Sequence, residues 1–249
     1  LKNGQLNEES PLGREIFGQL VENAHIACAE NMPICQDTGM AVVFIELGQE
    51  VLVEGNLEEA VNAGVAKGYG EGYLRKSVVD DPLFNRINTK NNTPAIIHLS
   101  VAPGDKIRIE VAPKGFGSEN MSAVKMLTPA AGVEGVKSFV AGTVAAAGSN
   151  PCPPVILGVG IGGTMEKAAL IAKKALLRPV GRHNPNPDYA RLEEELLALV
   201  NKTGVGPQGL GGTVTALAVN VEYFPTHIAG LPVAINVSCH ATRHAKTEL

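Results

Sequence analysis

The chain has 249 residues, 45% of them hydrophobic and 18% charged, with a formal net charge of −4. That balance fits a globular protein and offers no basic face for nucleic acid or an anionic membrane. No apolar run reaches the roughly 18–20 residues that cross a bilayer, and the polar, acidic start of the chain carries no signal-peptide pattern.

Trp is absent and aromatics make up 4%, so the core must be Val, Ile, Leu and Ala, with 28 glycines for special turns and close backbone packing. A helix is expected over 11–30, with Pro11 in its first turn and Ile16, Leu20, Ala24 and Ala27 at helical spacing. Cys28 falls inside it and reads as an ordinary buried thiol. Residues 32–39 form a loop, 41–47 a buried strand, and 56–70 a helix with Leu57, Val61 and Val65 on one face. Residues 93–101 and 106–112 read as a hairpin turning at Pro103-Gly104-Asp105. A glycine-rich loop follows over 113–120, with Ser118 capping a helix to about Leu127.

A further helix is expected over 133–147 and a strand over 155–159, then a glycine turn and a helix over 165–177. Asp188 is expected to cap a helix over 189–202, and strands follow over 213–224 and 232–237. No repeat or long linker interrupts the pattern. The expectation is one mixed α/β domain over 1–249 whose loops form a cluster-binding cavity.

Three cysteines stand apart from apolar runs and far from one another. They are Cys35 in Pro33-Ile34-Cys35-Gln36-Asp37-Thr38-Gly39, Cys152 in Ser149-Asn150-Pro151-Cys152-Pro153-Pro154, and Cys239 in Asn236-Val237-Ser238-Cys239-His240. Pro, Gly, Asn and Ser fix the backbone around each. Three thiolates converging from distant loops suit an iron–sulfur cluster whose fourth iron has no protein ligand and is open to Lewis-acid chemistry. Zinc is the rival, with His227 or His240 as a fourth ligand, although structural zinc sites usually draw ligands in close pairs. Four cysteines without short spacing or a secretion signal point to a reducing compartment, the cytoplasm, with free or liganding thiols.

The other candidates each carry two readings. Asp37 is either a proton-transfer group beside Cys35 or the side chain of an Asx turn. Arg75 is either a solvated helix terminus or a carboxylate ligand. His227 is either a surface histidine or an acid–base contact. The turn Gly160-Ile161-Gly162-Gly163-Thr164 either binds an anion at a helix start or simply connects a strand to a helix, and it matches no nucleotide fingerprint in register.

Taken in order, the segment 33–39, Lys114-Gly115-Phe116-Gly117-Ser118-Glu119-Asn120, Asn150-Pro151-Cys152-Pro153-Pro154, the 160–164 turn and Val237-Ser238-Cys239-His240-Ala241-Thr242-Arg243 resemble the α part of the class I (iron–sulfur) fumarase and L-tartrate dehydratase family. The resemblance covers nearly the whole chain. It implies a hydro-lyase with an oxygen-sensitive 4Fe-4S cluster on Cys35, Cys152 and Cys239, acting on a small dicarboxylate. Gln36, Asp37 and Arg75 match substrate-contacting residues, Asp37 being the proton donor to the departing hydroxyl. The Lys114–Asn120 loop matches a substrate loop, with Gly117 favoured over Gly115. His227 matches a histidine that reaches the active site of a neighbouring protomer.

Single-chain members of that family carry the base in a following β-type domain. This sequence ends at Leu249, so the expectation is an α subunit that needs a separate β subunit, paired as an α homodimer within a heterotetramer, the alternative being a piece of a longer protein. The reaction expected is the reversible hydration of fumarate to L-malate. A tartrate dehydratase α subunit is the alternative, and a non-catalytic metal-binding or scaffold protein is the reading from another class.

Overall fold

The computed structural model describes residues 1–249. In chain order its elements are α1 (Lys2–Asn7), α2 (Pro11–Ala29), β1 (Met40–Gly48), α3 (Leu57–Glu71), β2 (Ile96–Ala102), β3 (Ile107–Lys114), α4 (Phe116–Glu119), β4 (Ala123–Leu127), α5 (Gly132–Ala147), β5 (Val155–Gly162), α6 (Met165–Ala175), α7 (Pro187–Asn201), β6 (Ala216–Phe224), β7 (Leu231–Cys239) and β8 (Ala245–Glu248). The class is mixed α/β, as expected, with two four-stranded sheets. The chain divides into two compact units, Leu1–Met32 with Gly117–Ala241 and Pro33–Phe116 with Thr242–Leu249.

The first unit is organised by β5, which is buried at every position. Such a near-continuous apolar run is the mark of a strand covered on both faces. β5 pairs in parallel with β6 and antiparallel with β7, and β7 pairs antiparallel with β4. Val155, Leu157, Val159 and Ile161 pack with Val136, Val140 and Val144 of α5 and with Leu196 and Val200 of α7. The opposite face receives α6. There a Cβ on Gly158 would stand 2.0 Å from the Ala172 carbonyl oxygen, and one on Gly160 would stand 2.1 Å from that of Ala168. These distances favour the reading of the glycine run as a strand-to-helix connection, one that also lets α6 pack closely on β5. At the start of α6, Thr164 Oγ1 donates to the Glu166 carboxylate, so an acidic side chain of the chain itself already occupies the positive helix end.

Two buried carboxylates tie the first unit together. Glu8 accepts from the backbone N–H groups of Ser10, Thr213 and Val214 and from the Thr213 hydroxyl, at 2.8–3.2 Å. Burial pushes its pKa up, but these donors outweigh burial and hold it below the ordinary value. Glu193 of α7 accepts from Arg178 and from the N–H groups of Asn184 and Val221, which fixes the 181–187 loop and β6.

In the second unit β1 is central. It pairs in parallel with β2 and antiparallel with β3, and β8 closes the far edge of β3, giving the order β2-β1-β3-β8. Ala41, Val43 and Ile45 pack under Tyr69 of α3, with the expected Leu57, Val61 and Val65 beside them.

Four expectations are corrected. Residues 96–102 and 107–114 form strands but no hairpin, because β1 lies between them; its buried run takes a partner on each side and overrides the local turn. Residues 118–127 are not one helix. α4 is a single turn, and Ala123–Leu127 becomes a strand pairing with β7, because the ladder supplies partners that a short isolated helix lacks. The cap of α7 is Asn186, whose side chain accepts from the Asp188 N–H, with Pro187 in the first turn. Cys28 is exposed rather than buried, on the outer side of α2, whose buried residues are Gly13, Ile16 and Phe17.

Gly160→Val is expected to lower stability by roughly 3 kcal/mol, the upper range for overpacking; an unchanged thermal midpoint would mean that α6 lifts from β5 at no cost. For Glu8 the folded pKa lies below the ordinary 4.5. Its stabilisation is therefore present above that value and is lost as pH falls through the folded one. Unfolding curves of the wild type and Glu8→Gln should differ at neutral pH and converge in acid; a constant gap would assign the difference to packing.

Candidate functional site

In the second unit, residues 33–39 leave α2 and lead into β1, and their backbone is clamped by side chains. The Tyr69 hydroxyl donates to the carbonyls of Thr38 and Gly39 at 2.8 and 3.0 Å. Asn92 Nδ2 donates to the Gly39 carbonyl at 3.0 Å, while its Oδ1 accepts from the Ser77 and Val78 N–H groups. Thr38 Oγ1 donates to the Arg75 carbonyl at 3.0 Å, and Arg243 Nη2 donates to the Asp37 carbonyl at 2.7 Å. Gly39 is required here: its φ is +73°, and a Cβ would stand 2.4 Å from the Lys114 carbonyl. Burial is the main cause that pushes the Tyr69 phenol up to about 12, so it stays a neutral donor at physiological pH.

This clamp presents Cys35, Gln36 and Asp37. Cys35 is a free, half-buried thiol that donates to Gln36 Oε1 at 3.3 Å. Both Asp37 carboxylate oxygens accept backbone N–H groups, Oδ1 from Gly39 at 3.0 Å and Oδ2 from Phe116 at 2.8 Å. Asp37 thus closes an Asx-type turn and also joins the Cys35 loop to the glycine loop. A carboxylate has about four acceptor positions, so each oxygen keeps one for a further partner. Lys114 is 5% exposed and donates from Nζ to the Gly115 carbonyl. Arg75 has an exposed side chain.

In the first unit, the pairing of Val155 with Cys239 brings the turn before β5 to the end of β7. Cys152 lies in that turn, exposed, with φ at +53°. A non-glycine residue there is strained and persists only where its surroundings hold it. The Pro153 carbonyl accepts from both the N–H and the side-chain amide of Gln208, at 2.8 and 2.7 Å. The Cys152 carbonyl lies 3.2 Å from Nδ1 of His240, the neighbour of Cys239. Burial pushes His240 below its ordinary value, which favours a neutral ring donating from Nδ1.

Gly117 stands beside the same turn, its Cβ position 3.6 Å from the Asn150 carbonyl. Two residues on, Glu119 is tied to α6 and β7. Glu119 accepts from Lys173 and from Asn236 Nδ2, while Ser122 Oγ accepts from Asn236 and the Val237 N–H.

His227 lies elsewhere. β6 starts at Ala216, opposite Val155, and ends at Phe224, opposite Gly162; His227 follows that far end. The eight residues of β5 at about 3.3 Å each therefore separate it from the Cys152 turn. It is exposed on an open groove of about 510 Å³ with Lys167, Phe224 and Thr226.

For an iron–sulfur cluster, the donors fit in kind. None of the four cysteines forms a disulfide, Cys152 and Cys239 share one end of the first unit's sheet, and Cys35 sits in a loop whose shape is set by four side chains. No group of three or more His, Cys, Asp or Glu gathers as the nest of a single metal ion. Tyr69, Asn92, Gln208 and Arg243 carry the loops yet had no signal of their own in the sequence, apart from Arg243 closing the last motif. Tyr69→Phe removes two hydrogen bonds and is expected to cost about 1–3 kcal/mol; hydrogen exchange should quicken first in residues 37–40, and unchanged exchange there would show that the clamp does not depend on Tyr69.

The fumarate hydratase (Fumerase) family model matches residues 1–248. The chain is 42% identical over 251 residues to the putative L(+)-tartrate dehydratase subunit alpha of Methanocaldococcus jannaschii, covering 98% of this chain and 88% of that one. It is 35% identical over 240 residues to the L(+)-tartrate dehydratase subunit alpha of Escherichia coli, covering 95% and 78%.

Proposed function

The chain belongs to the fumarate hydratase family of iron–sulfur hydro-lyases, and from that premise we propose that it is the catalytic α subunit of a two-subunit enzyme that reversibly removes water from a four-carbon 2-hydroxy dicarboxylate. Residues 1–249 act as the α-type catalytic domain, and Cys35, Cys152 and Cys239 hold a 4Fe-4S cluster. The carrying observation is the β5–β7 register, which sets the strained Cys152 turn beside Cys239.

When bound, the cluster supplies a Lewis acid for the departing hydroxyl. The chain's own residues bind and orient. Arg75 and Lys114 offer cations for the substrate carboxylates, and Gln36 and the Gly117 backbone offer polar contacts. Asp37, held by two N–H bonds, has lone pairs left to exchange a proton with the substrate hydroxyl. The base for the adjacent carbon comes from the β subunit, a partner that the relatives' names as alpha subunits support. The span of β5 between His227 and the Cys152 turn supports a role for His227 in a neighbouring protomer's site, within an α homodimer of a heterotetramer.

Two substrates are compatible with this chemistry. The family description favours fumarate and L-malate, and the names of the relatives favour L(+)-tartrate. Rates on L-malate and L(+)-tartrate, measured with the β subunit present, decide between them. The cytoplasm is the proposed compartment, since none of the four cysteines forms a disulfide; no helix is long and apolar enough to cross a membrane.

After anaerobic reconstitution, Cys35→Ser, Cys152→Ser and Cys239→Ser should each lose iron and labile sulfide, while Cys28→Ser should keep both. A Cys35→Ser protein with full iron content would sink the ligand assignment. The chain alone should fall short of the roughly 1–10³ per second of typical enzymes; such a rate without a partner would place the base within this chain. A protein that binds iron but turns over neither acid with its partner would be a scaffold.

A further inference from the structure

Arg243 helps to clamp the Cys35 loop but has no part in the substrate and proton-transfer roles assigned above. Its Nη2 donates to the Asp37 carbonyl at 2.7 Å, while its Nε and Nη1 are buried and have no hydrogen-bond partner in the protein. A guanidinium stays protonated at any physiological pH, so this is a fixed positive charge with donors to spare. Its one hydrogen bond to Asp37 goes to the backbone carbonyl and not to the carboxylate. The charges of Arg243 and Asp37 both act on the Tyr69 hydroxyl, which places the guanidinium among the groups that clamp the Cys35 loop. Buried donors on a charged group are costly when unpaired, and an anion is the ligand that satisfies both the charge and the donors.

We propose that Arg243 is a substrate-binding residue that takes a carboxylate of the hydroxy dicarboxylate, held in aim by the carbonyl of Asp37. Its second effect is to position: the same bond that aims the guanidinium fixes the backbone two residues from Cys35. The inference rests on the hydro-lyase reading and adds to it a carboxylate contact from the segment that follows β7.

The test uses the complex with the β subunit, reconstituted anaerobically, as wild type, Arg243→Gln and Arg243→Lys. Gln keeps a donor for the Asp37 carbonyl and removes the charge; Lys keeps the charge and loses the planar set of donors. Iron content, binding of the unreactive dicarboxylate succinate by calorimetry, and KM and kcat for L-malate and L(+)-tartrate are read together. The expected result is wild-type iron content in Arg243→Gln, with succinate binding and KM weakened roughly tenfold or more, the usual loss of a charge-assisted contact, and a smaller loss in Arg243→Lys. Unchanged succinate affinity in Arg243→Gln overturns the proposal, as does loss of iron in both variants, which would make the residue purely structural. If the wild type itself neither binds succinate nor turns over either acid, the hydro-lyase reading fails, and that result is distinct from a variant that matches a working wild type.

Discussion

The antiparallel ladder between β5 and β7 is the constraint that organises the first unit and places Cys239. Strand side chains alternate faces, so a slip of one residue exchanges every inward group for an outward one. Val233, Ile235 and Val237 of β7 are core residues, whereas Asn236 bonds to Glu119 and Ser122. A one-residue slip would drive Asn236 into the apolar layer and expel the valines. The register is therefore set by burial energy spread along the strand, and the thiol of Cys239 is placed as a by-product of that packing. Cys152 cannot be placed in the same way, because it precedes β5 and lies in left-handed backbone. Gln208 and His240 do for it by hydrogen bonds what the core does for Cys239.

The second unit follows a different logic. Its Cys35 loop has little apolar content to anchor it, so carbonyls are held by buried donors from three parts of the chain: Tyr69 from α3, Asn92 from the segment before β2, and Arg243 after β7. Asp37 belongs to this arrangement as well as to the proposed chemistry. The two readings of Asp37 are compatible, because a carboxylate that closes a turn with one lone pair on each oxygen still has the others for a substrate.

Where the sequence was readable, one force acted locally. The amphipathic spacing of α2 and α3, the apolar run of β5 and the Pro, Gly and Asn punctuation around the three cysteines all report energies decided within a few residues. The failures occur where a distant partner outweighed the local signal. Pro103-Gly104-Asp105 is good turn chemistry, but β1 separates the strands it joins. Residues 123–127 have side chains that suit either helix or strand, and the free edge of β7 decided. Cysteines outside disulfides are usually buried, but which side of α2 faces inward depends on packing that spacing leaves open, and Cys28 lies on the exposed side. β8 consists of four exposed residues, with no apolar alternation to announce it, and it exists because β3 has an edge to fill. The clamping residues were hidden for the same reason: a tyrosine or asparagine that caps a remote loop looks like any other until the loop is beside it.

The discontinuity of the second unit bears on how the protein is made. Residues 117–241, all belonging to the first unit, separate Pro33–Phe116 from the Thr242–Leu249 segment, whose strand β8 completes the second unit's sheet. A ribosome releases the chain from the N-terminal end. The Cys35 loop therefore emerges with Tyr69 and Asn92 already available, but without Arg243 and with the edge of β3 uncovered. For the time it takes to synthesise the intervening segment, the nascent chain carries an open strand edge and an incompletely fastened cysteine loop, the kind of edge that invites pairing with other chains. The Cys35 loop therefore reaches its final shape only once the segment that carries Arg243 has emerged.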